Sequence, residues 1–337
     1  MTSRRQFLQG AAVSLPFAGW TSAADSAGVQ LGVQTYSFHD ILNDGGNHAA
    51  EIVRNMRACG LASCEVFSPQ IEPGLFFGKL PPASECAQPF KGCAASQGGS
   101  MRNPWAWEFR RLEDQEKEAA RAKQKQWRET VSLDYFRAIR KQFSDAGLSI
   151  YTYNPIDLDL QSSGAEVDRM FQMTKALGAR AINITTDINM LKRLIPYAEK
   201  HQLIVAPHGH SAIWNPEAFS TCETFARAFA LSKWVGANLD IGHYTAAGGD
   251  PVEFIDSFHD RITNLHVKDR KRNRSAKEED GENVPWGQGD TPIRQVLALL
   301  KKKQYPIPAF IEYEHAGTEE PVAEVRKCLE YCRKALA

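Results

Sequence analysis

Ile262-Thr263-Asn264-Leu265-His266-Val267-Lys268-Asp269 opens with a short apolar run, Ile262–Val267, that carries a histidine near its end and is followed by a lysine and an aspartate. Such a run between helix-like segments reads as a β-strand with its chemistry at the carboxyl end. Working outward, seven more runs share the pattern: Gln30–Ser37, Ser63–Ser68, Ser149–Asn154, Ala181–Thr185, Leu203–Pro207, Gly236–Ile241 and Pro308–Tyr313. Amphipathic stretches separate nearly all of them. Because βαβ connections give parallel pairing and eight units close on themselves, the repeat predicts an α/β fold, a (β/α)8 TIM barrel over residues 28–336. An open doubly wound sheet is the alternative. It would carry a Gly-rich phosphate loop after the first strand, where Tyr36-Ser37-Phe38-His39-Asp40 stands instead.

The chain has 337 residues, 40 Lys+Arg against 40 Asp+Glu, and 43% hydrophobic residues, enough for a large core and too balanced for disorder. Zero net charge argues against a general nucleic-acid or anionic-membrane binder and for a small-molecule partner. Self-association into a homo-oligomer is left open.

At the amino end, Ser3-Arg4-Arg5-Gln6-Phe7-Leu8 precedes an apolar stretch from Ala11 to Trp20 and the small residues Thr21-Ser22-Ala23-Ala24. This resembles a twin-arginine export signal over residues 1–24, implying a periplasmic or otherwise exported protein with no membrane attachment after cleavage. The apolar stretch is shorter than the ~20 residues a membrane span needs.

Seven cysteines match no zinc-knuckle spacing, and the odd number leaves at least one unpaired. Cys86 and Cys93 are either bridged or two free thiols; Cys328 and Cys332, one helical turn apart, read as packing residues. Between the second and third strands the rhythm breaks. Pro69 to Met101 is rich in Pro, Gly, Cys and Ser and leads into a charged helix-like run from Trp105 to Trp127, an insertion over about 69–127 that reads as a lid. Trp105, Trp107 and Trp127 are either an apolar wall for a sugar face or packing residues.

Barrel chemistry belongs at the carboxyl ends of the strands. There the sequence places His39, Glu65, Asn154, Asn183 and Thr185, then His208 and His210, Asp240 and His243, His266 and Lys268, and Glu312 and Glu314. Side chains alternate along a strand, so His266 and Lys268 share a face, as do Glu312 and Glu314. Imidazoles and carboxylates converging from successive strand ends suit one divalent cation, Zn²⁺, Mn²⁺, Co²⁺ or Mg²⁺.

Four segments, Leu239-Asp240-Ile241-Gly242-His243, Leu265-His266-Val267-Lys268-Asp269, Trp286-Gly287-Gln288-Gly289-Asp290 and Ile311-Glu312-Tyr313-Glu314, together resemble the xylose-isomerase-like barrels of sugar phosphate isomerases and epimerases. The resemblance covers roughly residues 28–336 and is strongest after Pro207. In ketose epimerases of that superfamily one divalent ion is held by Glu, Asp, His and Glu, and the two glutamates move the proton. Carried over, the resemblance implies Asp240, His266 and Glu312 as metal ligands, Glu312 as a proton-moving group, and His243 as a substrate contact. The fifth strand departs from that pattern: it reads Val205-Ala206-Pro207-His208-Gly209-His210, with Ala206 near the missing carboxylate and His208 as the replacement ligand and catalytic group.

That departure weakens a two-glutamate epimerisation, since exchange between two faces of one carbon needs an acid/base group on each. Metal-assisted enolisation survives it and is shared by isomerisation, epimerisation and β-elimination. The resemblance therefore implies a sugar isomerase or epimerase. A lyase or hydrolase on 3-keto-glycosides and a non-catalytic carbohydrate-binding barrel are the alternatives. Lys268 is a candidate for stabilising the enolate or for a salt bridge to Asp269 or Glu312. Glu65 is a candidate second base or an ion-paired barrel residue, and His39 and Asn154 are candidate substrate donors. The run from Lys268 to Arg274 reads as a solvated loop with one arginine, Arg272, folding back on the substrate. The superfamily also includes metal-dependent apurinic endonucleases, but export removes the DNA. Gly287-Gln288-Gly289 precedes Asp290-Thr291-Pro292, a helix start, and is no phosphate loop.

Overall fold

Eight parallel strands pair in sequence order and close: β1 (Leu31–Gln34), β2 (Ser63–Phe67), β3 (Ser149–Asn154), β4 (Ala181–Thr185), β5 (Ile204–His208), β6 (Ala237–Asp240), β7 (Ile262–Val267) and β8 (Ala309–Ile311). The computed structural model describes residues 28–41, 47–72, 114–315 and 317–337. Three strands fall exactly where the apolar runs place them, and the first and last are shorter. After Gln34 the chain turns into a 3-10 turn, Thr35–Ser37, capped by the Gln34 side chain, which accepts from the Tyr36 amide. The described chain forms two compact units, one of residues 32–180 with 312–328 and the other of residues 28–31, 181–311 and 329–337.

The first unit carries β1 to β3 with α1 (Ala49–Cys59), α2 (Asp114–Thr130), α3 (Leu133–Asp145) and α4 (Gly164–Leu177). Each helix buries one face. Phe136, Ile139 and Phe143 of α3, and Val167, Met170 and Phe171 of α4, recur at helical spacing and lie in the core. Ser163 caps α4 by accepting from the Glu166 amide, and Gly178 ends it in the left-handed region at φ 75°.

Of the insertion, residues 73–113 lie outside the described residues, and with them Cys86, Cys93, Trp105, Trp107 and most of the segment read as a lid. The described parts are residues 69–72 and the helix α2. Arg128 of α2 is fully buried, donates Nε and Nη2 to Glu72 Oε2 at 3.0 and 2.8 Å, and donates Nη1 to Glu166 Oε1 at 3.3 Å. Tyr153 of β3 donates its hydroxyl to the other Glu72 oxygen, while Arg121 forks onto Glu166 at 2.7 and 2.8 Å. Trp127 packs edge-on against Tyr135 and Phe136, a packing residue.

The second unit carries β4 to β8 with α5 (Ile188–His201), α6 (Cys222–Phe229), α7 (Ile241–Ala246), α8 (Pro251–Phe258) and α9 (Ile293–Lys303); α10 (Pro321–Leu336) closes the chain. Its strands are in register, Asn183 with Ala206, Thr185 with His208, His208 with Asn238 and Asp240 with His266. Alternation along each strand turns two sets of side chains inward, one nearer the carboxyl ends than the other. The deeper layer holds Asn183, Ala206, Asn238 and Asn264, joined by amide hydrogen bonds: Asn183 Nδ2 to Asn264 Oδ1 at 2.9 Å and Asn264 Nδ2 to Asn238 Oδ1 at 3.3 Å. The outer layer holds Thr185, His208, Asp240 and His266.

Candidate active site

Asp240 is the last residue of β6 and the N-cap of α7. Its Oδ1 accepts from the His243 amide at 2.7 Å, which leaves Oδ2 for the barrel interior. The Asp-x-x-His spacing is therefore a helix cap as well as a pair of polar side chains. Oδ2 lies 3.1 Å from Lys268 Nζ and 3.4 Å from His208 Nε2. Thr185 Oγ1 sits 3.3 Å from the other nitrogen of His208 and fixes its ring. Asn238 Nδ2 lies 3.1 Å from His266 Nε2, so the amide layer reaches the second imidazole. Glu312 directly follows Ile311, the residue in register with Val267 of β7.

Ligand atoms of His208, Asp240, His266 and Glu312 all lie within 4.8 Å of one another, and all four residues are buried. Two imidazoles and two carboxylates are the donor set of a divalent transition ion in an open site, and the chemistry of these residues fits one. Lys268, 2% exposed, partly offsets the two negative charges. It pairs with Asp240, an interaction the sequence does not single out. Gly242 makes the close approach feasible, because a Cβ there would stand 2.4 Å from Lys268 Cγ and 3.0 Å from its carbonyl oxygen.

Beside this group lies a second one, His210, His243 and Glu279, also with ligand atoms within 4.8 Å of one another. Arg270 Nη1 stands 3.4 Å from His243 Nε2, and its Nη2 donates to the Gly281 carbonyl at 2.5 Å. A guanidinium only donates, so that nitrogen of His243 is an acceptor and the ring carries its proton on Nδ1. Burial, and then the neighbouring His210, hold the His243 pKa well below the usual imidazole range, so the ring is neutral. His243 thus presents a buried N–H. A cation held by His243 would have to sit against the Arg270 charge, which disfavours this group as a metal centre.

The remaining expected site residues take these places. Arg272 is exposed, and its backbone amide donates to Asp290 at 2.9 Å; the buried arginine of the basic run is Arg270. Asp269 accepts from the amides of Gly287, Gly289 and Thr291 at 2.7, 2.9 and 3.3 Å, so the Trp-Gly-Gln-Gly segment wraps a carboxylate of the chain itself. In the first unit, Glu65 is fully buried and accepts from Thr152 at 3.0 Å. Asn154 ends β3 and is buried. His39 stacks on Tyr313 at 5.0 Å, places Nδ1 3.0 Å from the Tyr36 carbonyl oxygen, and is held by burial at a pKa of about 4.

Four contributors have no signal as single residues: Arg270, Glu279, Asn238 and Asn264. The two asparagines are marked only by being polar inside apolar runs two residues before Asp240 and His266, where alternation puts them on the same face.

A closed eight-stranded barrel with imidazoles and carboxylates gathered at successive strand ends defines a TIM barrel with a group of residues that could hold a metal ion. Residues 106–335 match the Xylose isomerase-like TIM barrel family, and the chain belongs to it. L-ribulose-5-phosphate 3-epimerase UlaE of Salmonella paratyphi C is 30% identical over 104 residues, 31% of this chain and 34% of that protein. UlaE of Shigella flexneri serotype 5b is 23% identical over 206 residues, 61% of this chain and 64% of that protein. The chain thus matches about a third to two thirds of the length of these relatives. A sugar phosphate isomerase/epimerase from Parabacteroides distasonis shares the fold at TM-score 0.53 and 14% identity, over 93% of this chain and 97% of that one.

Proposed function

We propose that the chain is an exported, divalent-metal-dependent enzyme that enolises a carbonyl-bearing carbohydrate. The observation that carries this reading is the buried convergence of His208, Asp240, His266 and Glu312. When bound, the ion supplies electrophilic stabilisation of charge developing on the substrate oxygen. Lys268 adds a fixed cation beside the same oxygen, held by Asp240, and the His243 Nδ1–H is a donor for a substrate hydroxyl. The dry surroundings strengthen each of these contacts.

The UlaE relatives are named L-ribulose-5-phosphate 3-epimerases, which supports enolisation as the step to test. Their substrate carries a phosphate. Here the two buried cations already have partners, Lys268 in Asp240 and Arg270 in Gly281, so a neutral keto-sugar suits the site better. The leader-like residues 1–24 support the same choice, since an exported enzyme meets free sugars and glycosides. Ala206 in the deeper interior layer of β5 favours one further reaction class. With no carboxylate there, elimination from a 3-keto-glycoside needs only one base.

The test is the metal content of the purified protein beside that of a His266→Ala, Glu312→Ala double variant, followed by deuterium uptake from D₂O into keto-sugars and 3-keto-glycosides. About one equivalent of metal in the parent, little in the variant, and deuterium at the carbon next to the carbonyl is the expected result. A parent that takes up no Zn²⁺, Mn²⁺ or Co²⁺ overturns the metal chemistry. Tight sugar binding by the parent without exchange or turnover would instead identify a carbohydrate-binding barrel.

A further inference from the structure

Enolisation needs a base that is not already committed, and the residues around the metal ligands are nearly all spoken for. His208 and His266 are needed by the ion and are contacted by Thr185 and Asn238. Asp240 divides its oxygens between the His243 amide and the His208 and Lys268 side chains. His243 directs Nε2 at Arg270, and Lys268 is paired. His210 is different. Its side chain is 39% exposed, while the other three imidazoles of the cluster are buried, and its ring centroid lies 4.3 Å from that of His243 and 5.1 Å from that of His208.

Behind His210 stands a carboxylate. Glu279 Oε2 lies 3.6 Å from His210 Nδ1. Glu279 belongs to the connection between β7 and α9, which folds back on itself through an antiparallel bridge of Arg270 with Asn283 and a bond from the Lys271 amide to the Glu282 carbonyl at 2.9 Å. Asn273 ties this connection to the one after β5. Its Nδ2 donates to the carbonyl of Ser211, the residue after His210, at 3.1 Å, and its Oδ1 accepts from the Gly281 amide at 3.0 Å. The same asparagine thus bonds within two residues of both His210 and Glu279 and sets their approach. A carboxylate 3.6 Å from Nδ1 favours the ring proton on that nitrogen, which leaves Nε2 as the lone-pair nitrogen, the arrangement of an oriented histidine base.

We propose that His210, oriented by Glu279, is the catalytic base that takes the proton from the substrate carbon next to the carbonyl. This rests on the enolisation reading above and supplies the acid/base group that β5 lacks at Ala206. In the step, the C–H pair becomes the C=C bond of the enolate, the carbonyl π pair moves onto oxygen, and the proton goes to His210 Nε2. Glu279 then faces an imidazolium. Delivery of that proton to the former carbonyl carbon, with the neighbouring hydroxyl proton passing to the former carbonyl oxygen, completes an isomerisation; re-formation of the carbonyl as the C=C pair expels the glycosidic oxygen, which takes the proton, completes an elimination. Glu279 is a positioning residue, because it acts through the ring.

Two measurements test this with the full chain. ¹⁵N NMR of the Zn²⁺-loaded protein reads the His210 tautomer without any substrate. The proton is expected on Nδ1 in the parent and spread over both nitrogens in Glu279→Gln. Deuterium uptake from D₂O into D-fructose, L-ribulose and a methyl 3-keto-glucoside reads the base itself. His210→Ala is expected to lower exchange by about 100-fold or more with KM within about threefold and metal content unchanged, and added imidazole restores part of it. His210→Gln serves the same purpose should the alanine variant not fold. Exchange within about threefold of the parent in the His210 variants, or a His210 proton on Nε2 in the parent, overturns the base assignment alone. A parent that exchanges no proton with any of these sugars overturns the enolisation reading, and the base assignment with it.

Discussion

Lys268 is the residue whose role is most exposed to measurement. An ammonium and a divalent ion both seek Asp240 Oδ2, and the ammonium is already 3.1 Å away and almost completely buried. Two cations sharing one carboxylate in a buried site repel by an amount that water would screen and this site does not. Lys268→Met removes the competitor while keeping most of the side-chain volume. Metal affinity of that variant is expected to rise by about tenfold, measured by competition with a chromophoric chelator. Deuterium exchange into substrate is expected to fall by about 100-fold, because a fixed charge beside the enolate oxygen is lost. A weaker metal affinity in Lys268→Met would mean that the lysine organises the ligands rather than competing with the ion. The same residue shows the limit of reading side chains from sequence. That Lys268 faces inward with His266 follows from strand alternation, but its partner is fixed by the Asp240–His266 register, which no spacing within either strand reveals.

At the scale of elements, α2 shows how an inserted segment is fastened to a barrel. Its Arg128 is buried with two carboxylates, Glu72 after β2 and Glu166 in α4, and the Glu72 charge raises the Arg128 pKa against the opposing effect of burial. Arg128→Met leaves Glu72 buried without its guanidinium, while Glu166 keeps Arg121. The expected loss is about 3–5 kcal/mol in urea unfolding, and adding Glu72→Gln to Arg128→Met is expected to recover part of it. A loss under about 1 kcal/mol would show that water reaches this cluster. None of this is legible in the sequence, where Trp105 to Trp127 reads as a charged amphipathic run and Arg128 lies just beyond it. The strands are legible for a local reason: each needs only five or six residues of apolar character and a polar end. Three of the eight runs, Ser149–Asn154, Ala181–Thr185 and Ile262–Val267, match to the residue. The polar strand ends also name the four residues whose possible ligand atoms gather within 4.8 Å, whereas Arg270 and Glu279 come from a long connection whose path back to His210 depends on Asn273 and Ser211.

For the whole molecule, the proposed metal binding is a stability term. His208, Asp240, His266 and Glu312 are far apart along the chain, so the unfolded state has no assembled site and nearly all of the binding free energy appears as folding free energy. At a free metal concentration 100 times Kd the gain is about 2.7 kcal/mol, or roughly 5 °C in the melting midpoint of a chain of this size. Thermal melts with Zn²⁺ or Mn²⁺ are expected to show that rise, EDTA to reverse it, and the His266→Ala, Glu312→Ala variant to lack it. The comparison also separates the two groups of candidate ligands. If the double variant keeps the full metal-dependent rise and His210→Ala, Glu279→Gln loses it, the ion belongs to His210, His243 and Glu279. Arg270 would then have to turn away from His243 to admit it, and the proton-moving role of His210 would fall. If only the first variant loses the rise, the ion is held at the ends of β5 to β8, and the exposed histidine beside it stays free for substrate.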